Sequence, residues 1–170
     1  MSILATRRDP LGAYNFIVTF VDASSQLSVT LRSIGSSAAA GFSECSGLDM
    51  TLDVEEFKEG GNNGTVLKFP TRTSYSPIRL KRGVTYDQSL WDWYYSFVQG
   101  VGQRRDGLII LQNDDRQPVK IWQFRRGLPT KFTGPTLNAS QNQVAIEELE
   151  ITHEGLELAS KRPQVLNLVF

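Results

Sequence analysis

Apolar positions in this chain recur mostly every second residue, the period of a half-buried β-strand. Tyr14, Phe16, Val18 and Phe20 alternate with Asn15, Ile17 and Thr19, which predicts a strand with a buried aromatic face. Residues 27–31, Leu-Ser-Val-Thr-Leu, alternate in the same way. Met50, Leu52 and Val54 alternate with Thr51, Asp53 and Glu55, giving one apolar and one charged face, as on a surface or in a hairpin. Gly60-Gly61-Asn62-Asn63-Gly64 is the strongest turn signal, because Gly and Asn tolerate positive φ. It joins the strand over 50–57 to another over 65–69, forming a hairpin arm of the kind that reaches a neighbouring molecule. Leu108–Leu111 is a wholly apolar strand, Asn113-Asp114-Asp115 a turn, and Val119–Phe124 its hairpin partner. Lys131–Gly134 and Pro135 lead into a loop, and Gly35–Gly41 is a loop by its small residues.

A single helix interrupts the strands. Thr85 with Gln88 three residues later forms a capping-box signature, and Asp87 suits the positive end of the dipole. Leu90, Trp93 or Tyr94, Phe97 and Val101 follow at helical spacing, and Gly100 and Gly102 can end the helix. Trp91-Asp92-Trp93-Tyr94-Tyr95 is aromatic almost all round, more than one buried face needs. Residues 143–153 read two ways. Their Glu, Ala and Leu content favours helix, while Val144, Ile146, Leu149 and Ile151 fit a strand with a bulge at Glu147-Glu148. The pattern as a whole is mainly β, a barrel or sandwich with one flanking α-helix and an extended β-hairpin arm. Residues 1–158 form one domain, and 159–170 form a C-terminal tail whose apolar end, Val165–Phe170, suits an inter-subunit contact.

Composition narrows the function. The 170 residues carry 18 Lys+Arg against 18 Asp+Glu, so no net charge draws the chain to nucleic acid or anionic membrane. Near-zero net charge also favours association. Five basic dipeptides (Arg7-Arg8, Lys81-Arg82, Arg104-Arg105, Arg125-Arg126 and Lys161-Arg162) are spread over the chain, as partners for salt bridges between subunits would be. A nucleic-acid-binding module, the less favoured alternative, would cluster them. The opening residues lack the apolar core of a secretory signal, and no stretch reaches the ~18 apolar residues of a membrane span. Synthesis in a cytoplasm without stable membrane insertion is expected.

Candidate chemistry is sparse. One Cys and one His cannot build a Cys/His zinc site. Thr152-His153-Glu154-Gly155 fits no nucleophile motif, so His153 reads as structural or surface, and Cys45 as a small packed residue. Glu55-Glu56, Asp114-Asp115 and Glu147-Glu148-Leu149-Glu150 are explained by turns and strand ends. No phosphate loop or dinucleotide fingerprint is present. No catalytic, cofactor or metal site emerges.

Several segments, in order, resemble one family. They are Asp9-Pro10 with Tyr14-Asn15-Phe16; Gly41-Phe42-Ser43-Glu44-Cys45-Ser46-Gly47-Leu48; and Phe57-Lys58-Glu59-Gly60-Gly61. Ile78-Arg79-Leu80-Lys81-Arg82-Gly83-Val84-Thr85 with Leu90-Trp91-Asp92-Trp93 continues the set, as do Gly134-Pro135-Thr136-Leu137-Asn138-Ala139 and 145–155. The set is similar to the inner-tube proteins of contractile phage tails and extracellular contractile injection systems. Gly127-Leu128-Pro129 departs from it, since an aromatic often precedes that proline in the family.

The resemblance implies a barrel-like fold, rings of six copies, and rings stacked into a hollow tube inside a contractile sheath. It also implies that 143–153 is strand. Expected partners are further copies of the chain, the sheath protein, baseplate or hub and tube-terminating proteins, and a luminal cargo of protein toxin or DNA. The mature chain would reside in a phage tail or a released particle. A tube-initiator or baseplate ring protein of the same fold is the alternative. Within the arm, Glu55, Glu56, Lys58, Glu59, Gly60 and Gly61 are the expected ring-stacking residues.

Overall fold

A computed structural model of the chain describes residues 12–22, 41–61 and 64–159. The strand expected over 27–31, the loop up to Ala40 and the tail from Ser160 lie outside the described residues. Nine strands and one helix follow in the order β1 (Phe16–Asp22), β2 (Glu44–Ser46), β3 (Met50–Phe57), β4 (Leu67–Tyr75), β5 (Ile78–Gly83), α1 (Ser89–Val98), β6 (Arg105–Gln112), β7 (Pro118–Thr133), β8 (Ile146–Thr152) and β9 (Gly155–Leu158). All strand pairs are antiparallel. One sheet runs β1-β6-β7-β8-β5-β2 with β9 also on β7, and β3-β4 is a separate two-stranded ribbon.

The 16-residue β7 is the hinge of this architecture. Its first half pairs with β6 and β9, its second half with β8. Between them Arg126 takes φ 51°, and its N–H donates to Asp106 Oδ1 at 2.7 Å. The strand therefore continues to Thr133, where the sequence predicted the approach to a loop. The sheet turns over at this bend and packs on itself. Val18, Ile109, Phe124 and Leu156 from one layer meet Ile78, Leu80, Leu149 and Ile151 from the other in one buried cluster. The result is a sandwich whose described strands do not close into a hydrogen-bonded ring. Phe124 is fully buried beside Gly107, where a Cβ would lie 2.2 Å from its ring.

Residues 146–152 form a strand, against their helical composition, because β8 is central, between β5 and β7. Tertiary context overrides a weak local preference. The bulge expected at Glu147-Glu148 is absent. The β5–β8 register is continuous, and the irregularity falls on β7 between Pro129 and Lys131. Leu149 and Ile151 point inward, whereas Ile146 is exposed.

The helix lies over one end of the core with Leu90 and Trp93 buried. Its expected capping box does not form, since Gln88 makes no side-chain cap bond. Asp87 does the work instead: Oδ1 accepts from Ser89 N–H at 3.1 Å, and Oδ2 accepts from Ser89 Oγ at 2.7 Å. At the other end Gly100 adopts φ 78° and stops the helix, leaving Val101 outside it and exposed.

Candidate assembly surfaces

The arm grows from the sheet edge. Beyond β2 and β5, Ser76 N–H donates to Asp49 O at 3.2 Å, and the ribbon β3–β4 continues outward from there. The kink needs Gly47, whose φ is 85° and whose side would meet the Pro77 carbonyl at 2.0 Å if a Cβ were added. Every β3 residue is exposed, and in β4 only Tyr75, at the foot, is partly covered. A bulge opposite Asp53, where Thr71 Oγ1 donates to the Asp53 carbonyl at 3.0 Å, adds local twist.

The six arm residues named from the sequence sit at its outer end. Glu55 lies across from Phe69, and Glu56 across from Lys68, with which it forms an exposed ion pair at 3.4 Å. Lys58, Glu59, Gly60 and Gly61 follow beyond the end of β3, all exposed. The arm does not have the single apolar face that the alternation predicted. Phe57, Leu67 and Phe69 are exposed on the face opposite Met50, Leu52 and Val54. The cross-strand pair Phe57–Leu67, in the other phase from Leu52, is the signal that the sequence reading missed.

Two further surfaces stand open. No described strand pairs with the outer edge of β1 or of β9; such edges are ready templates for another chain. On the outer side of α1, Trp91 stacks on Tyr95 with centroids 5.9 Å apart and meets Phe132 edge-on at 5.1 Å. Trp91 and Tyr95 remain over 40% exposed, 46% and 43%, which accounts for the surplus of aromatics in that run.

Several charged groups pair within the chain. Arg82, 3% exposed, lies between Glu147 at 2.5 Å and Asp87 at 2.9 Å, and also donates to the Asp87 carbonyl at 2.8 Å. This ties β5, β8 and the start of α1 together, and the Arg82 and Ser89 bonds hold the Asp87 carboxyl down at about 2. Lys81 pairs with Glu44, Arg104 and Arg126 with Glu154, and Arg125 with Glu157. Arg105 lies over the Trp93 ring at 5.2 Å. The described basic dipeptides thus meet partners inside the subunit, where salt bridges between subunits were expected.

The residues weighed for catalysis are built into the frame. His153 is buried between Tyr75 and Phe124, its Nδ1 3.0 Å from the Gly155 carbonyl, and burial lowers its pKa. Cys45 lines an apolar cleft of about 300 Å³ with Phe16, Leu48, Ile109 and Trp122, and burial pushes its thiol up to about 11. Among the described residues no three His, Cys, Asp or Glu side chains gather as a metal site. No described helix is long and apolar enough to cross a membrane.

The profile of the T4-like virus tail tube protein gp19 matches residues 12–157, nearly all of the described chain. The chain belongs to the T4-like virus tail tube protein family. Solved relatives agree. A chain of the anti-feeding prophage baseplate, 6-fold symmetrised, superposes with a TM-score of 0.77 at 25% identity, over 90% of this chain and 97% of that one. A chain of the sheath–tube complex of the extracellular contractile injection system PVC, in the extended state, gives 0.72 at 25% identity, over 89% and 92%. A chain of the PVC sheath/tube terminator shares the fold, with a TM-score of 0.74 at 24% identity over 90% and 99%. No curated protein matches the sequence. Its family is thus one of tail-tube proteins.

Proposed function

We propose that six copies of this tail-tube protein close into a ring and that rings stack into a rigid hollow tube. Contraction of a surrounding sheath drives the tube forward, and its lumen conducts a protein or DNA cargo. The chain performs no covalent step. It is made in the bacterial cytoplasm and ends in a phage tail or released injection particle. The observation that carries this reading is the exposed β3–β4 arm on a chain whose family match spans residues 12–157. A contact that closes makes a ring, and one that repeats along an axis makes a filament. The charged outer end of the arm, Glu55, Glu56, Lys58 and Glu59 with Gly60 and Gly61 at the turn, governs stacking.

Electron microscopy of the purified protein tests this, alone and with its sheath and baseplate proteins. Long hollow tubes of stacked rings are the expected result. Rings that never lengthen, with or without baseplate, indicate an initiator or baseplate ring protein of the same fold. Monomers under every condition overturn the reading. Reversal of the arm charge in Glu55→Lys/Glu56→Lys should shorten tubes, and unchanged tube length removes those two residues from the stacking contact.

A further inference from the structure

The cleft of about 300 Å³ beside Cys45 is apolar on both walls. Phe16, Ile109, Leu111 and Trp122 line it from one layer of the sandwich, and Cys45 and Leu48 from the other. The register makes the first wall continuous, with Phe16 across from Leu111 and Ile109 across from Trp122. Ser43 and Glu44 are the only lining residues whose side chains carry oxygen, and both are already bonded to Lys81, at 3.1 and 3.0 Å. A buried water needs two to four polar partners, so the cleft suits apolar side chains better than water. The second wall is also thin, since β2 is only 3 residues long.

The described chain ends close to this cleft. β9 lies on the side of β7 away from β6, with Leu158 across from Trp122. The Ala159 N–H still donates to the Ile121 carbonyl at 2.8 Å, so the chain is held at the sheet to that point. Directly opposed residues share a face, which places Leu158 on the face of Trp122 and Ile109. Leu156, two residues earlier on the same face, is 4% exposed, whereas Leu158 is 60% exposed. Pro163 cannot donate to a continuing ladder, so pairing along β7 does not extend past it. Beyond it come Val165, Leu166, Asn167, Leu168, Val169 and Phe170, apolar but for Asn167. In an extended segment Leu166, Leu168 and Phe170 share one side and Asn167 takes the other. Two strand spacings, about 10 Å, separate β9 from β6, and residues 160–164 span up to about 17 Å.

We infer that the apolar end of the chain, Val165–Phe170, seats in the cleft of its own subunit. Leu166, Leu168 and Phe170 lie against Phe16, Leu111 and Trp122, and Asn167 stays toward solvent. A tether of this length holds the segment beside the cleft at millimolar effective concentration, above that of any separate chain in dilute solution. The core is thereby completed where the short β2 covers it least. The inference stands apart from the tube reading, and it places the tail within the subunit where the sequence suggested a contact between subunits.

Cys45, the only cysteine in the sequence, reports on the cleft. The test measures its rate of reaction with a maleimide in the dilute full-length chain, in a chain ending at Gln164, and in Leu166→Asp/Leu168→Asp. Circular dichroism confirms folding, and sedimentation velocity confirms that the chains compared share one oligomeric state. Both altered chains should react about tenfold faster or more, the protection that burial of one leucine or phenylalanine supplies. In Leu168→Cys a short bismaleimide should join positions 45 and 168 within one chain, as mass spectrometry of the monomer band would show. Equal rates in all three chains overturn the inference. So does a rate that rises only when residues 1–8 are removed, which gives the cleft to Ile3 and Leu4. A crosslink formed only between chains seats the segment on a neighbouring copy and overturns it as well. None of these readouts requires tubes, so failure here leaves the tube reading standing, and failure of that reading leaves this one.

Discussion

Arg82 shows how much one side chain can organise. It is buried, carries a full charge, and spends its donors on Glu147, Asp87 and the Asp87 carbonyl. Arg82→Met should cost about 3 kcal/mol, because Glu147 would keep a charge in a nearly closed site. Arg82→Met/Glu147→Leu should recover most of that loss in urea denaturation. The same network sets an acid limit. The Asp87 carboxyl is held at about 2 against an ordinary 3.8, so its contribution is full above about 4 and is lost as pH falls through about 2. His153 acts in a higher window. Burial lowers its folded pKa below 6.5, so the unfolded chain takes up the proton first and stability declines as pH falls below about 6.5. In His153→Gln that part of the pH–stability curve should flatten, as thermal melts between about pH 5 and 8 would show.

At the scale of elements, the bend in β7 decides whether two layers meet, and Phe124 fills the space under it. Gly107→Ala would push a methyl into the Phe124 ring and should cost about 1–3 kcal/mol. A lower urea midpoint with an unchanged slope would confirm it. Periodicity revealed β1, β3 and β6, because their alternating or wholly apolar runs map directly onto faces. It could not reveal the full β7. Arg125-Arg126-Gly127-Leu128-Pro129 carries bend and bulge signals that resemble a strand end, and pairing with β6, β8 and β9 keeps the segment extended. Residues 146–152 were undecidable for a related reason, since acidic side chains dilute the inward pair Leu149 and Ile151. The helix was legible but its cap was not. Thr85 and Gln88 have the right spacing, yet Asp87, fixed by Arg82 from the end of β5, takes the capping role.

At the scale of the whole molecule, the arm could be read from Gly60-Gly61-Asn62-Asn63-Gly64 and its flanking alternation. Its two apolar stretches could not, because their phase depends on which residues pair across β3 and β4. Met50, Leu52 and Val54 carry no charge, and neither do Tyr75, Thr73 and Pro70 across from them, so a contact on that face should depend on apolar burial. The outer end gathers Glu55, Glu56, Lys58, Glu59 and Lys68 among exposed apolar side chains, so if it governs stacking as proposed, stacking should have an ionic component. Salt at 1 M cuts the range of exposed charges to about 3 Å, while apolar contacts survive it. Raising sodium chloride from about 0.1 to 1 M should therefore change tube length and leave rings intact in sedimentation velocity. Rings that dissociate to monomers before tubes shorten would place the ionic contacts within the ring and remove the charged end of the arm from stacking.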